Sequence, residues 1–218
     1  MATIAENLQA VRARIGQRSG VTLLAVSKTQ PLERIKEAIA AGQKAFGENY
    51  VQEAVQKMQS LPALEWHLIG PLQSNKTRTA AERFDWVQTI ASEKIARRLS
   101  EQRPAHLPPL NVLIQANVSA EPTKSGVAPD EVAALCAKLK ELPRLRLRGL
   151  MAIPEPGADR WRFHAAKVLF EQLKGEFGFD TLSMGMSDDL ELAIAEGATM
   201  VRVGTAIFGQ RTKERSAA

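Results

Sequence analysis

The chain has 218 residues, 44% of them hydrophobic, with 29 basic against 24 acidic residues for a formal net charge of +5. That length and apolar share suit one sizeable core, and no Pro/Gly/Ser-rich linker divides the sequence, so residues 1–218 are expected to form one domain. A single cysteine, Cys136, excludes an intrachain disulfide and a thiolate metal cluster, and no uncharged apolar stretch is long enough to span a bilayer.

Ile4, Leu8, Val11 and Ile15 recur at helical spacing and predict an added helix within residues 3–19, ahead of the first strand. Val21-Thr22-Leu23-Leu24-Ala25-Val26 is apolar at all but one position and runs through Ser27-Lys28-Thr29-Gln30 to Pro31, which opens a helical pattern. It reads as a buried parallel strand leading into a helix closed by Gly42. The alternation then repeats. Residues 44–47 precede a helix from Tyr50 through Met58, residues 66–70 a helix at about 74–82, and residues 86–90 a helix over 92–102. Beyond a proline-bounded loop at 103–109, residues 110–118 lead to a helix from Pro129 to Leu142. Residues 147–153 lead to a long helix around 159–177, residues 181–185 to a helix over 188–196, and residues 200–204 end the series. Eight βα alternations, with no dinucleotide glycine fingerprint after the first strand, suit a closed (β/α)8 TIM barrel better than an open doubly wound sheet.

In such a barrel, function gathers at the carboxyl ends of the strands. Lys28 stands at one of them, where lost solvation lowers an ammonium's pKa and frees the amine to form a Schiff base with an aldehyde. A lysine that merely snorkels to water is the blander alternative, and this strand alone favours it. Other polar clusters fall at the same mouth: Gly47-Glu48-Asn49-Tyr50, His67 through Lys76, Lys124-Ser125-Gly126, Met186-Ser187-Asp188-Asp189 and Gly204-Thr205. Barrels often hold phosphate after strands seven and eight, so Ser187 is expected to cap a helix aimed at an anion, with Gly204 and Thr205 allowing close backbone approach. An ordinary capped helix and turn fits equally well, and Asp188 and Asp189 would repel a phosphate unless turned away. Arg202, two residues before Gly204, projects to the same side; a ligand ring nitrogen or a carboxylate such as Glu48 would partner it.

His67 alternates inward with Ile69 and is expected to be a satisfied core histidine; the three histidines lack metal spacing, so no metal is expected. Arg144, Arg146 and Arg148 alternate with Leu145 and Leu147 and read as the solvated start of a strand. With three tryptophans, one tyrosine and seven phenylalanines for stacking and basic residues scattered among acidic ones, the chain carries no nucleic-acid footprint. Residues 1–7 lack a basic region followed by an apolar run, so a soluble cytoplasmic protein without membrane partners is expected.

Seven segments carry a closer likeness: LLAVSKTQP (23–31), FGENYVQE (46–53), WHLIGPLQSNK (66–76), LNVLIQAN (110–117), LRGLMAIP (147–154), LSMGMSDDLELAI (182–194) and MVRVGTAIFG (200–209). Together they cover the chain nearly end to end, and the sequence closely resembles the pyridoxal phosphate homeostasis proteins. The resemblance implies a single barrel like the alanine racemase amino-terminal domain, binding pyridoxal 5′-phosphate (PLP) as its cofactor through a Schiff base on Lys28. It further implies Arg202 at the pyridine nitrogen, Asn49 beside the ring, and Ser187, Gly204 and Thr205 around the phosphate. Lys124 matches a family lysine expected to form a secondary or transit PLP site.

A carrier is the expected function: PLP held for intracellular homeostasis and delivered to apo-enzymes by a monomer. Arginine at the pyridine nitrogen weakens PLP as an electron sink, although racemases work with it, and racemisation also wants an acid or base opposite the lysine. The resemblance implies that fold-related racemases complete that site with another domain, which is not expected in this chain, since it stops at Ala218. The runner-up is a weak PLP-dependent amino-acid racemase, followed by a Schiff-base aldolase without PLP. A nucleic-acid-binding module is the least expected.

Overall fold

Thr3 and Glu6 cap one another at the start of the first helix: Thr3 Oγ1 accepts from the Glu6 amide at 3.1 Å, and Glu6 Oε2 accepts from the Thr3 amide at 2.7 Å. Helix α1 (Ile4–Ile15) buries Ile4, Leu8, Val11 and Ile15 on one face, as their spacing predicts. It stops at Ile15 with Gly16 as its C-cap, within the stretch expected from sequence. The structure, a computed structural model, describes residues 2–16, 20–119, 125–155 and 157–210. Residues 17–19 and Lys124 lie outside them.

The chain continues through β1 (Thr22–Val26), α2 (Leu32–Ala40), β2 (Ala45–Glu48), α3 (Val51–Ser60) and β3 (Glu65–Leu68). A 3-10 turn at Ser74–Lys76 runs into α4 (Thr77–Arg83), followed by β4 (Trp86–Ile90), α5 (Glu93–Gln102) and β5 (Leu110–Ala116). Then come α6 (Pro129–Lys140), β6 (Leu145–Ala152), α7 (Arg160–Phe177), β7 (Thr181–Ser183), α8 (Leu190–Ala195), β8 (Met200–Val203) and a four-residue α9 (Thr205–Phe208) that sequence reasoning did not anticipate. The strands pair in chain order, all parallel, and β8 returns to β1 with Leu24 beside Arg202, which closes the predicted (β/α)8 barrel.

Strand alternation sorts the apolar residues into two places. Val201 and Val203 join the large core between sheet and helices, together with residues such as Phe46, Val87 and Leu150. Their neighbours Met200 and Arg202 turn inward. Two small apolar clusters occupy the lumen, Leu24 with Ala45 and Met200, and Trp86 with Leu113 and Met151. Buried polar residues, His67, Gln88 and Ser183, run between these clusters.

Strand β6 begins at Leu145, earlier than predicted, and its start is solvated as expected at Arg144 and Arg146, both exposed. Arg148 departs from that expectation: its side chain is only 22% exposed, pairs with Asp180 at 2.8 Å and lays its guanidinium 4.8 Å from the Trp86 ring centroid. Among the described residues no helix is long and apolar enough to cross a membrane.

Candidate functional site

The carboxyl ends of the strands surround a cavity of about 360 Å³, within the range of small-molecule sites. All six residues singled out from sequence line it: Lys28, Asn49, Ser187, Arg202, Gly204 and Thr205. Lys28 arrives there because β1 ends at Val26 while the Ser27 amide still donates to the Gly47 carbonyl at 3.0 Å, extending the pairing by one step before the chain turns. Val26 and Lys28, two apart, thus face the same opening.

The turn after Lys28 is held from α3. Thr29 adopts φ 63°, a conformation costly for a β-branched residue, while its amide donates to Glu53 Oε1 at 2.5 Å. Lys57 Nζ donates at 2.7 Å to each of the Ser27 carbonyl, Glu48 Oε1 and Glu53 Oε1. Ser27 Oγ also donates to Glu48 Oε1, at 2.5 Å, and Glu48 Oε2 is buried without a partner. Burial pushes the Glu48 carboxyl up from its ordinary value, against the pull of Lys57. Glu48 is therefore committed to Lys57 and Ser27, and of the two partners weighed for Arg202 from sequence, the carboxylate of Glu48 is not taken up.

Arg202 instead donates from Nη1 to Ser183 Oγ at 2.8 Å and from Nη2 to the Ala152 carbonyl at 2.9 Å. Its side chain is buried, and desolvation lowers its pKa to about 10 against the field of Asp189, so it is a cation at neutral pH. No carboxylate bridges it among the described residues. With Lys28, it makes the cavity floor basic.

Ser187 does not cap α8. That helix starts two residues later than the expected boundary, at Leu190, with Asp189 at the N-cap position; Asp189 Oδ1 accepts from the Met186 amide at 2.5 Å and so folds back on the loop. Ser187 Oγ accepts from the Ala206 amide in the first turn of α9 at 3.2 Å, leaving its hydrogen free to donate into the cavity. Arg14 of α1 fixes the same loop by donating to the Ser187 carbonyl at 2.9 Å and pairing with Glu191 at 2.6 Å. At Gly204 a Cβ would meet the Val26 carbonyl at 3.3 Å and Val26 Cβ at 3.4 Å, so a side chain there would crowd the wall shared by β1 and β8. Asp188 does line the cavity, the one acidic side chain among the described lining residues.

His67 is the satisfied core histidine expected of it, fully buried between Glu65 at 2.8 Å and Gln88 at 2.9 Å. Tyr50, at the N-cap position of α3, is 59% exposed and outside the cavity wall. Met186 and Ile69, which fall within clusters assigned to the mouth from sequence, also line the cavity, while sequence reasoning missed Gln30, Ile153 and Gly209. The signal for Ile153 was present in its place just beyond the end of a strand.

The family model for the alanine racemase N-terminal domain matches residues 1–212. The pyridoxal phosphate homeostasis protein of Pseudomonas aeruginosa is 58% identical over 223 residues, covering 97% of each chain. That of Escherichia coli is 56% identical over 229 residues, covering 97% of this chain and 98% of its own. Among solved structures, PipY of Synechococcus elongatus with PLP bound superposes with a TM-score of 0.86 at 40% identity, over 95% of this chain and 100% of its own. Alanine racemase of Corynebacterium glutamicum, at 19% identity and a TM-score of 0.77, matches over 95% of this chain and 61% of its own, a likeness of fold.

Proposed function

The chain belongs to the alanine racemase N-terminal domain family and, within it, to the pyridoxal phosphate homeostasis proteins, and we propose that its barrel mouth binds PLP reversibly in the service of PLP homeostasis. One observation carries this: a single cavity holds an amine, Lys28, a guanidinium, Arg202, and a polar cradle at Ser187, Gly204 and Thr205. PLP brings an aldehyde, a ring nitrogen and a phosphate, and that donor set fits all three. Lys28 supplies the amine that condenses with the aldehyde. Arg202 donates toward the ring nitrogen, and Asn49 flanks the ring. The Ser187 hydroxyl and the backbone at Gly204 and Thr205 hold the phosphate, where the missing Cβ of Gly204 keeps the wall open.

Exchange, not turnover, is the proposed activity: a cytoplasmic monomer, one domain over residues 1–218, handing PLP to apo-enzymes. A half-buried Lys28 and a rim at Ile153 that is 41% exposed support ready release. Racemisation is the weaker reading, because the chain's one tyrosine, Tyr50, stands outside the cavity wall.

The experiment is an absorbance spectrum of the protein with PLP, wild type beside Lys28→Ala, followed by borohydride reduction and peptide mass mapping. A shifted cofactor band in wild type alone, with reduction fixing the adduct on Lys28, is the expected result. Equal binding and reduction in Lys28→Ala overturns the assignment of Lys28 and moves suspicion to Lys124. Turnover of D- or L-amino acids would replace the carrier with a racemase.

A further inference from the structure

Arg202 is one end of a hydrogen-bond chain that crosses the barrel. Its Nη1 donates to Ser183 Oγ at 2.8 Å, Ser183 Oγ to Gln88 Oε1 at 2.7 Å, Gln88 Nε2 to His67 Nδ1 at 2.9 Å, and His67 Nε2 meets Glu65 Oε1 at 2.8 Å. Residues from four strands, β8, β7, β4 and β3, take part, and only Glu65, at the opposite end of the barrel, is exposed.

The chain admits one direction. A guanidinium has donors only, so Ser183 Oγ must accept from Arg202 and send its own hydrogen to Gln88 Oε1. The amide then presents Nε2 to His67, whose Nδ1 must be bare. The single ring proton therefore sits on Nε2 and faces the Glu65 carboxylate. Turning the Gln88 amide over breaks this order: Ser183 would accept twice, its hydrogen would lose its acceptor, and His67 would need protons on both nitrogens in a fully buried site. Desolvation, which lowers the His67 pKa, opposes that imidazolium, although Glu65 and Asp85 favour it.

Packing keeps the ring from escaping the constraint. His67 stacks on Trp86 with centroids 5.1 Å apart and planes 8° from parallel, and Arg148 lies against Trp86 in turn. The chain passes between the two apolar lumen clusters, so its links are side chain to side chain.

Resting on the assignment of the cavity to PLP, we propose that His67 is a positioning residue for the cofactor: as the Nε2–H tautomer it orients Gln88 and, through Ser183, fixes the guanidinium plane of Arg202 at the ring nitrogen. His67 does not line the cavity. Its influence reaches them through Arg202 alone.

Two measurements test this. Nitrogen-15 NMR of histidine-labelled protein without PLP should show His67 as the Nε2–H tautomer; the Nδ1–H tautomer, or an imidazolium at neutral pH, overturns the proposal. PLP titrations of His67→Gln, and of Gln88→Met as a near-isosteric second variant, should show about tenfold weaker binding and a displaced cofactor band in the wild-type background, with less than about twofold weakening in an Arg202→Ala background, the non-additivity of residues acting in series. Equal weakening in both backgrounds, or none in the wild-type background, overturns it while the PLP assignment stands. Failure of the wild type to bind PLP removes that assignment and this inference with it.

Discussion

The Thr29 amide donates to Glu53 Oε1 at 2.5 Å, and that bond pins a left-handed, β-branched residue directly behind Lys28. Glu53→Ala should lose about 1–3 kcal/mol, since it takes the acceptor from the Thr29 amide and one of the three acceptors from buried Lys57. PLP affinity should fall with it, because the turn that aims Lys28 is released. Urea denaturation and a PLP titration read the two effects. Unchanged affinity would mean that β1 alone aims the lysine.

Glu48 makes stability depend on pH in an unusual sense. Burial, and the charge of Glu53, make its carboxyl hold a proton more tightly in the folded chain than in the unfolded one, despite Lys57 and the hydrogen bond from Ser27. The unfolded chain therefore releases this proton first, near its ordinary value of 4.5, and stability drains as pH rises from there through the higher folded pKa. Glu48→Gln removes that loss while its carbonyl still accepts from Lys57 and Ser27. Relative to wild type its stability should improve with rising pH, by at most about 1.4 kcal/mol per pH unit within the window. A difference that stays flat between about pH 4 and about pH 7 would contradict the raised carboxyl.

Gly70 admits no side chain, because a Cβ there would stand 2.2 Å from the Asn49 carbonyl oxygen and 2.7 Å from Asn49 Cα. Gly70→Ala must push Asn49 off the cavity wall, at a cost of about 1–3 kcal/mol and a clear loss of PLP affinity. Gly175 in α7 is the control, with nothing within 4 Å of its Cβ direction; Gly175→Ala should gain about 0.5–1 kcal/mol in thermal unfolding and bind PLP as wild type does.

Cys136 is buried in α6, and desolvation pushes its thiol up to about 12. A maleimide should leave the native protein unlabelled and modify Cys136 only at the rate at which the chain opens. Rapid labelling under native conditions would show that α6 detaches locally.

The architecture was legible because strands buried on both faces read as near-continuous apolar runs, as Leu110–Ala116 does apart from Asn111 and Gln115, and all but the last are followed by a helical pattern. Lys28 and Arg202 were legible for the same reason: a period of two past an apolar strand points them at the mouth. Partnerships across the barrel were not. Arg202 bonds Ser183 and the Ala152 carbonyl, which only the closed register brings near, while Glu48 is drawn to a lysine one helix further on. The true partner of Ser187 sits in α9, whose four residues are too few to show a period.

Barrel closure joins the first strand to the last, and α1 then lies over that joint, packed on α2, α8 and α9 with Asn7 Nδ2 donating to the Ile207 carbonyl at 2.9 Å. Lys28 stands just beyond β1, and Arg202, Gly204 and Thr205 stand on or just beyond β8, so the cavity wall is finished only where these two strands meet. A fragment that lacks either strand owns no finished pocket.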